Sequence, residues 1–197
     1  MSSCPGSRCG VPCAHDVLLT DVECIVQQGI RIVVSLLAAD ELERLGAKNL
    51  PYQLAQHGIA WYQLPVVDFG VPSLQVTAQW LQLMPALKNA LQTGPVLIHC
   101  AHGKGRTGTM VATLFKAWGW HSEEAIAWTR QCRVGAIENL KQEAYVRAFE
   151  SPLQHCKQLI TGNDESNARP ERIDLCDPKP QRTHLASKSP ISIGGAA

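Results

Sequence analysis

Val96-Leu97-Ile98-His99-Cys100-Ala101-His102-Gly103-Lys104-Gly105-Arg106-Thr107-Gly108-Thr109 decides the reading of this chain. A short apolar run enters a glycine-rich turn between Cys100 and Arg106, and a helical pattern leaves it from about Thr107 to Trp118. Strand, turn and helix in that order put the turn at the carboxyl edge of a sheet, where α/β proteins bind ligands. Gly103 and Gly105 let the backbone fold into a concave nest whose N–H groups point inward. The positive pole of the following helix and the planar fork of Arg106 strengthen that field. Such a cradle fits a phosphate dianion. It also favours thiolate over thiol at Cys100, which makes that sulfur a nucleophile.

Other motifs compete for the same residues. Gly103-x-Gly105-x-x-Gly108 has the form of a dinucleotide fingerprint, which needs a second strand with an acidic residue about twenty positions on. Here Ser122-Glu123-Glu124-Ala125-Ile126 opens a helix instead. Gly103-Lys104 hints at the phosphate loop of nucleotide hydrolases, but Gly105 stands where Ser or Thr must hold magnesium. The Cys-x5-Arg spacing recurs at Cys176 and Arg182. The residues between them hold two prolines and no glycine, and cannot turn their N–H groups inward or open a helix.

Working outward, Ile32-Val33-Val34-Ser35-Leu36-Leu37 is β-branched and almost wholly apolar, the pattern of a strand buried on both faces. Ile59 to Leu64 is the next strand, stopped by Pro65. Thr20 or Asp21 caps a short helix over Val22, Ile25 and Val26 that Gly29 ends. Two short helices follow, Asp40 to Leu45 and Asn49 to His57, with Pro51 in the first turn of the second. Val76, Trp80, Leu83, Met84, Leu87 and Leu91 form one stripe of a helix starting near Ser73, kinked at Pro85. Helices from Ser122 to Gln131 and from about Glu138 to Leu159 complete the set. The expected class is α/β, with a central, mainly parallel sheet of four to five strands flanked by helices. Residues 1–15 read as an irregular lead-in, 16–160 as one domain and 161–197 as a disordered tail, since apolar periodicity ends after Thr161.

At 197 residues the chain has room for one core and a tail. Lys+Arg 18 against Asp+Glu 17 excludes a basic nucleic-acid stripe, so no nucleic-acid partner is expected. No apolar run is long enough to span a membrane and no secretory signal opens the chain, so a reducing, cytoplasmic setting is expected. Eight Cys are too few for a disulfide scaffold. Cys4, Cys9, Cys13 and His15 lack the short paired spacing of zinc ligands, and plain surface thiols are expected there. Cys24 and Cys132 sit on helical stretches as core residues, near enough in principle to trap an oxidised Cys100. The five Trp residues, Trp61, Trp80, Trp118, Trp120 and Trp128, fall mostly on apolar stripes and read as core.

A phosphoryl group moved to sulfur needs its leaving oxygen protonated by an acid from another loop. Asp68 is the candidate: it follows a strand end, lies between Pro65 and Pro72, and has Gly70 as a flexible point. His99 can hold the turn by hydrogen bonds, and the Thr107 hydroxyl can donate to the sulfur.

Here the chain resembles the cysteine-based protein phosphatases, and among them the small dual-specificity subgroup of kinase-associated phosphatase. The resemblance runs from about Asp16 to Glu150. It rests on His99-Cys100-x-x-Gly103-x-Gly105-Arg106-Thr107-Gly108, on Leu64 to Pro72, and on Gly135-Ala136-Ile137-Glu138-Asn139-Leu140-Lys141-Gln142. It implies a two-step hydrolysis without metal or cofactor through a phosphocysteine at Cys100, with Asp68 as acid and then base and Arg106 gripping phosphate. The phosphate-binding loop is then His99, Ala101, His102, Gly103, Lys104 and Gly105. A phosphorylated protein is the implied substrate, on tyrosine and also on serine or threonine, with a kinase as one candidate partner. Glu138 stands where the family commonly has Gln to orient the attacking water, while Gln142 fits its second Gln position; a carboxylate at 138 would slow the second step. Lys104 adds a rim cation of the kind lipid phosphatases carry, but Ala101 lacks the second Lys those enzymes place after the Cys. A non-catalytic phosphate-binding module would have no use for nucleophile and acid together. A sulfurtransferase shares the Cys at the mouth of its loop, but not Arg106 with Thr107 and Asp68.

Overall fold

The computed structural model describes residues 1–150 apart from Cys9 and Ala14. Three parallel strands make its main sheet: β3 (Ile32–Ser35) in the middle, β4 (Ala60–Gln63) on one side and β5 (Leu97–His99) on the other. Every residue of β3 is buried, as an apolar run between two neighbours and two helical layers demands. On the edge strand β4, Trp61 and Gln63 are half-buried while Ala60 and Tyr62 are exposed. Ser35 pairs with Gln63 on one side and with His99 on the other, so all three strands end level with one another. The loops that leave them therefore meet on one edge, and this register assembles the site.

Around the sheet run α1 (His15–Gln27), α2 (Ala39–Arg44), α3 (Leu50–Gln56), α4 (Leu74–Thr93), α5 (Gly105–Ala117), α6 (Ser122–Cys132) and α7 (Leu140–Ala148). All residues of α5 except Val111 are buried. One side of it joins the main core with Met110 and Leu114, and the other packs Ala112 and Phe115 against Ala125, Ile126, Ile137 and Val146. Trp80 of α4, fully buried, donates its indole N–H to Thr113 Oγ1 at 3.0 Å. Lys116 Nζ donates to the carbonyls of Val146 and Arg147 at 2.8 Å, tying α5 to the end of α7. A helix held on all sides keeps its first turn, with Arg106, in a fixed place.

The α/β class and the parallel sheet match expectation, and several details differ. Among the described residues the main sheet has three strands rather than four to five. The N-terminal segment adds only an isolated parallel bridge, Ser2 to His99, and a separate antiparallel hairpin of β1 (Ser7–Arg8) and β2 (Val11–Pro12). That segment is ordered, not irregular, because its backbone is taken up by the sheet edge: the Ser2 N–H donates to Ile98 O and the Cys4 N–H to Ala101 O, both at 3.2 Å.

Helix α1 starts five residues before the expected cap. Thr20 Oγ1 bonds back to Asp16 O inside the helix at 3.0 Å, and Asp21 accepts instead from Gly6 N–H and Arg8. Ser73 caps α4 as expected, accepting from Val76 N–H at 3.2 Å, and the helix runs through Pro85 to Thr93. Cys4 is buried in the main core rather than on the surface. Cys24 is exposed, because Leu18, Val22 and Ile25 take the inward stripe of α1. Cys132 is half-buried and disulfide-bonded, so it is neither a reduced core thiol nor available to Cys100, which is free. Among the tryptophans Trp80 is fully buried, while Trp61, Trp118, Trp120 and Trp128 are half-buried. The expected last helix is shorter than 138–159: α7 stops at Ala148, where Phe149 turns to extended backbone, and the expected tail over 161–197 lies outside the described residues. No helix among the described residues is long and apolar enough to cross a membrane.

Candidate active site

β5 ends at His99, and the next residues wrap around the sulfur of Cys100, which is 3 % exposed. The Gly103 N–H donates to Cys100 Sγ at 3.2 Å, the contact an inward-facing nest predicts. Gly103 needs to be glycine for two reasons: its φ is +69°, and a Cβ there would collide with the Ser2 carbonyl. The N-terminal strand-like segment thus backs the turn, with Ala101 O accepting from Cys4. On the outer side His102 is exposed and its carbonyl accepts from Arg133 Nη2 at 2.9 Å. Thr107 Oγ1 is buried without a hydrogen-bond partner, so the bond to sulfur comes from Gly103 and not from Thr107.

The His99 side chain bonds to the middle strand and not to the turn, and its Nδ1 is buried without a hydrogen-bond partner. Its Nε2 lies 2.6 Å from Ser35 Oγ, and that oxygen also accepts from the Trp61 indole at 2.8 Å. Full burial, opposed by the nearby Cys100 backbone and assisted by the charge of Arg106, lowers its pKa to about 4. The imidazole is therefore neutral at pH 7. The Cys4 thiol is pushed up to about 12 by burial, with the negative charges of Cys100, Asp21 and Glu41 adding to the shift. Only one of these neighbouring sulfurs stands in the nest.

Arg106, 2 % exposed, begins the fixed first turn of α5 and is held from three directions. Its Nη1 donates to Glu41 Oε1 at 2.8 Å and to Val66 O at 3.1 Å, and its Nη2 lies 3.0 Å from Asp68 Oδ1. Sequence reading placed Arg106 and Asp68 but missed Glu41, which sits in the first turn of α2 just past the end of β3. Glu41 also accepts from the Ala38 N–H at 3.0 Å, a bond back to the helix start that fixes its carboxylate. A buried guanidinium without its carboxylate costs about 3–5 kcal/mol, so this pairing orients Arg106 and keeps it charged. The visible signal was an acidic residue three positions after Ala38 at a helix start on the ligand edge, which resembles any capping glutamate.

Asp68 is 56 % exposed at the tip of the loop after β4. Its Oδ1 also accepts from the Phe69 N–H at 3.1 Å, and Phe69 takes the left-handed conformation, φ +53°. Glu138 and Gln142 both reach the turn, because a Cβ on Gly105 would run into Glu138 Oε2 and Gln142 Nε2. Gln142 is fully buried and its Oε1 accepts from the Glu138 N–H at 2.9 Å, while its Nε2 donates to Gly70 O at 3.2 Å. Lys104 is exposed and lines a cavity of about 550 Å³ with Val134, Ile137 and Glu138 among its walls. The structure thus brings Arg106 to Asp68 and sets Glu138 and Gln142 against the turn that holds Cys100, while His102 and Lys104 are exposed and Thr107 makes no bond to the sulfur.

A sulfur bonded by a turn amide, a guanidinium in the first turn of the next helix and a carboxylate from the loop after β4, on the far side of β3, fit a phosphatase domain of the cysteine-based, dual-specificity and tyrosine type. The comparisons with known proteins agree. The chain belongs to the family described as "Tc-R-P: Polymorphic toxin system, DSP-PTPase phosphatase", which it matches over residues 9–119. It is 28 % identical over 174 residues to the protein tyrosine phosphatase domain-containing protein 1 of Mus musculus, an alignment covering 84 % of this chain and 21 % of that protein. To the dual specificity protein phosphatase CDC14AB of Danio rerio it is 40 % identical over 81 residues, 41 % of this chain and 12 % of that one. The chain therefore spans about a fifth or less of these relatives. Among solved structures it is similar to kinase associated phosphatase carrying serine for its catalytic-site cysteine, at a TM-score of 0.63 and 26 % identity, covering 82 % of this chain and 86 % of that one.

Proposed function

We propose that the chain is a phosphatase that hydrolyses phosphate monoesters on proteins through a phosphocysteine at Cys100, without metal or cofactor. The carrying observation is the meeting of three groups on one sheet edge: Cys100 Sγ under the Gly103 N–H, Arg106 within 3.0 Å of Asp68, and both set by parallel register. In the first step the Cys100 thiolate attacks phosphorus, the P–O ester bond breaks, and Asp68 gives its proton to the departing oxygen. Arg106 and the amides of 101–105 hold the equatorial oxygens as charge builds on them. In the second step water attacks phosphorus, the S–P bond breaks with the sulfur leaving as thiolate, and Asp68 takes the water proton. Glu138 and Gln142 position that water, and the negative charge of Glu138 slows its attack on an anionic phosphoryl group relative to a neutral amide.

Phosphotyrosine is the proposed substrate residue, with phosphoserine and phosphothreonine as further ones. Val67, Phe69 and Leu140 are exposed beside the mouth amid both signs of charge, Asp68 and Glu138 against Lys104 and Lys141, which suits a protein segment. A kinase is a candidate for that phosphorylated protein, and the cytoplasm is the proposed compartment. An inositol phosphate substrate is the second reading; it rests on Lys104 alone, since buried Ala101 offers no further cation. Hydrolysis of 4-nitrophenyl phosphate in excess EDTA is the test. Turnover that is abolished in Cys100→Ser and falls about 10²-fold or more in Asp68→Ala supports the proposal. Full activity in either variant, or dependence on added metal, refutes it. Rates on the three phosphopeptides and on an inositol phosphate then order the substrates.

A further inference from the structure

We infer that Asn139 is a positioning residue for the general acid, latching the Asp68 loop to the start of α7; this rests on the phosphatase reading above. Asn139 uses both ends of its carboxamide. Its Oδ1 accepts from the Gln142 N–H at 3.0 Å as the cap of α7, and its Nδ2 donates to Phe69 O at 2.9 Å. The second bond falls on the residue next to Asp68, and that residue holds a left-handed backbone, φ +53°, which an L side chain adopts only when something fixes it. Gln142 adds the neighbouring contact to Gly70 O at 3.2 Å, and its own side chain is set by Glu138 N–H. Apart from these bonds the tip of the loop is exposed, with Val67 at 78 % and Phe69 at 63 %. No apolar packing therefore substitutes for the latch. When it opens, Phe69 relaxes to a negative φ and Asp68 swings away from Arg106 and from the leaving oxygen.

The carboxamide is needed for the latch but not for the cap. Asn139→Asp and Asn139→Ser keep an acceptor for the helix terminus and lose the donor to Phe69. Proton donation matters most for a poor leaving group, and hydrolysis of the phosphocysteine is common to all esters, so the readout is kcat/KM on phenyl phosphate against 4-nitrophenyl phosphate. Both variants should lose about tenfold in kcat/KM on phenyl phosphate, the worth of one well-made hydrogen bond, and much less on the nitrophenyl ester. Equal loss on both esters, or none on either, overturns the latch. Hydrogen exchange over 67–70 gives an arm that needs no activity: faster exchange in Asn139→Ser supports the latch, and unchanged exchange overturns it. A parent chain that hydrolyses neither ester would refute the phosphatase reading, and exchange would still decide whether Asn139 holds the loop.

Discussion

Two loops leave the same edge of the sheet, from the strands on either side of β3, and they are built on opposite principles. The turn from Cys100 to Arg106 is enclosed: Ser2 backs Gly103, Cys4 bonds to Ala101, and His99 and Arg106 are buried. The loop from Val66 to Pro72 stands mostly in water and is held by a few bonds, to Arg106, Asn139 and Gln142. The difference fits the tasks proposed for them. Inward-facing amides and a guanidinium stabilise developing charge only if they are aimed beforehand, and a packed surrounding aims them. An acid must meet a substrate that arrives and departs, which favours a loop that a small number of contacts can place.

Damage to the enclosed turn should therefore cost most. Arg106→Lys replaces a planar fork held by Glu41, Val66 and Asp68 with a point charge that matches none of them well. We expect kcat/KM on an aryl phosphate to drop by about 10³-fold or more, of the order seen when a preorganised oxyanion donor is removed. A drop of less than tenfold would mean that the cradle works without its fork.

The next effect is on stability and comes from beneath the same turn. The His99 imidazole in the unfolded chain binds its proton near pH 6.5, whereas the folded one does so only near 4. Between those values the unfolded state holds the extra proton, so stability is highest above pH 6.5 and declines as pH falls toward 4, by about 3 kcal/mol. Denaturant titrations at pH 7 and pH 4.5 check this, with His99→Gln as the control that flattens much of the slope. A slope unaffected by that substitution would show that burial of His99 has no such cost.

The smallest effect belongs to the open loop. Phe69 is 63 % exposed and left-handed, so Phe69→Gly should change folding stability by no more than about 1 kcal/mol, in the stabilising direction if backbone strain outweighs the added freedom of glycine. Thermal melts measure it. A loss of several kcal/mol would mean that the acid loop is packed as tightly as the phosphate loop and would erase the contrast.

What the sequence shows of this molecule follows the range of the forces involved. The strand, turn and helix around Cys100 are legible because β-branched residues, glycines and an apolar stripe act within a dozen positions of one another. Asp68 is legible because a strand end and two prolines bracket it. Glu41 is not, since its partner Arg106 lies 65 positions away and its local setting is that of an ordinary glutamate in the first turn of a helix. The start of α1 was misplaced for a similar reason: Asp21, a good cap by type, is claimed by Gly6 and Arg8 across a turn of the chain that local rules do not see. The burial of Cys4 depends on the N-terminal segment joining the edge of β5, a pairing over almost a hundred residues.

The claim at the centre is that phosphorus passes through one sulfur. Rapid acid quenching of the chain mixed with excess aryl phosphate, followed by peptide mapping, tests it directly. The expected result is phosphate on the peptide containing Cys100, formed within one turnover and absent in Cys100→Ser. Steady turnover with no phosphoryl group on that peptide, or with one on a histidine instead, would contradict the account.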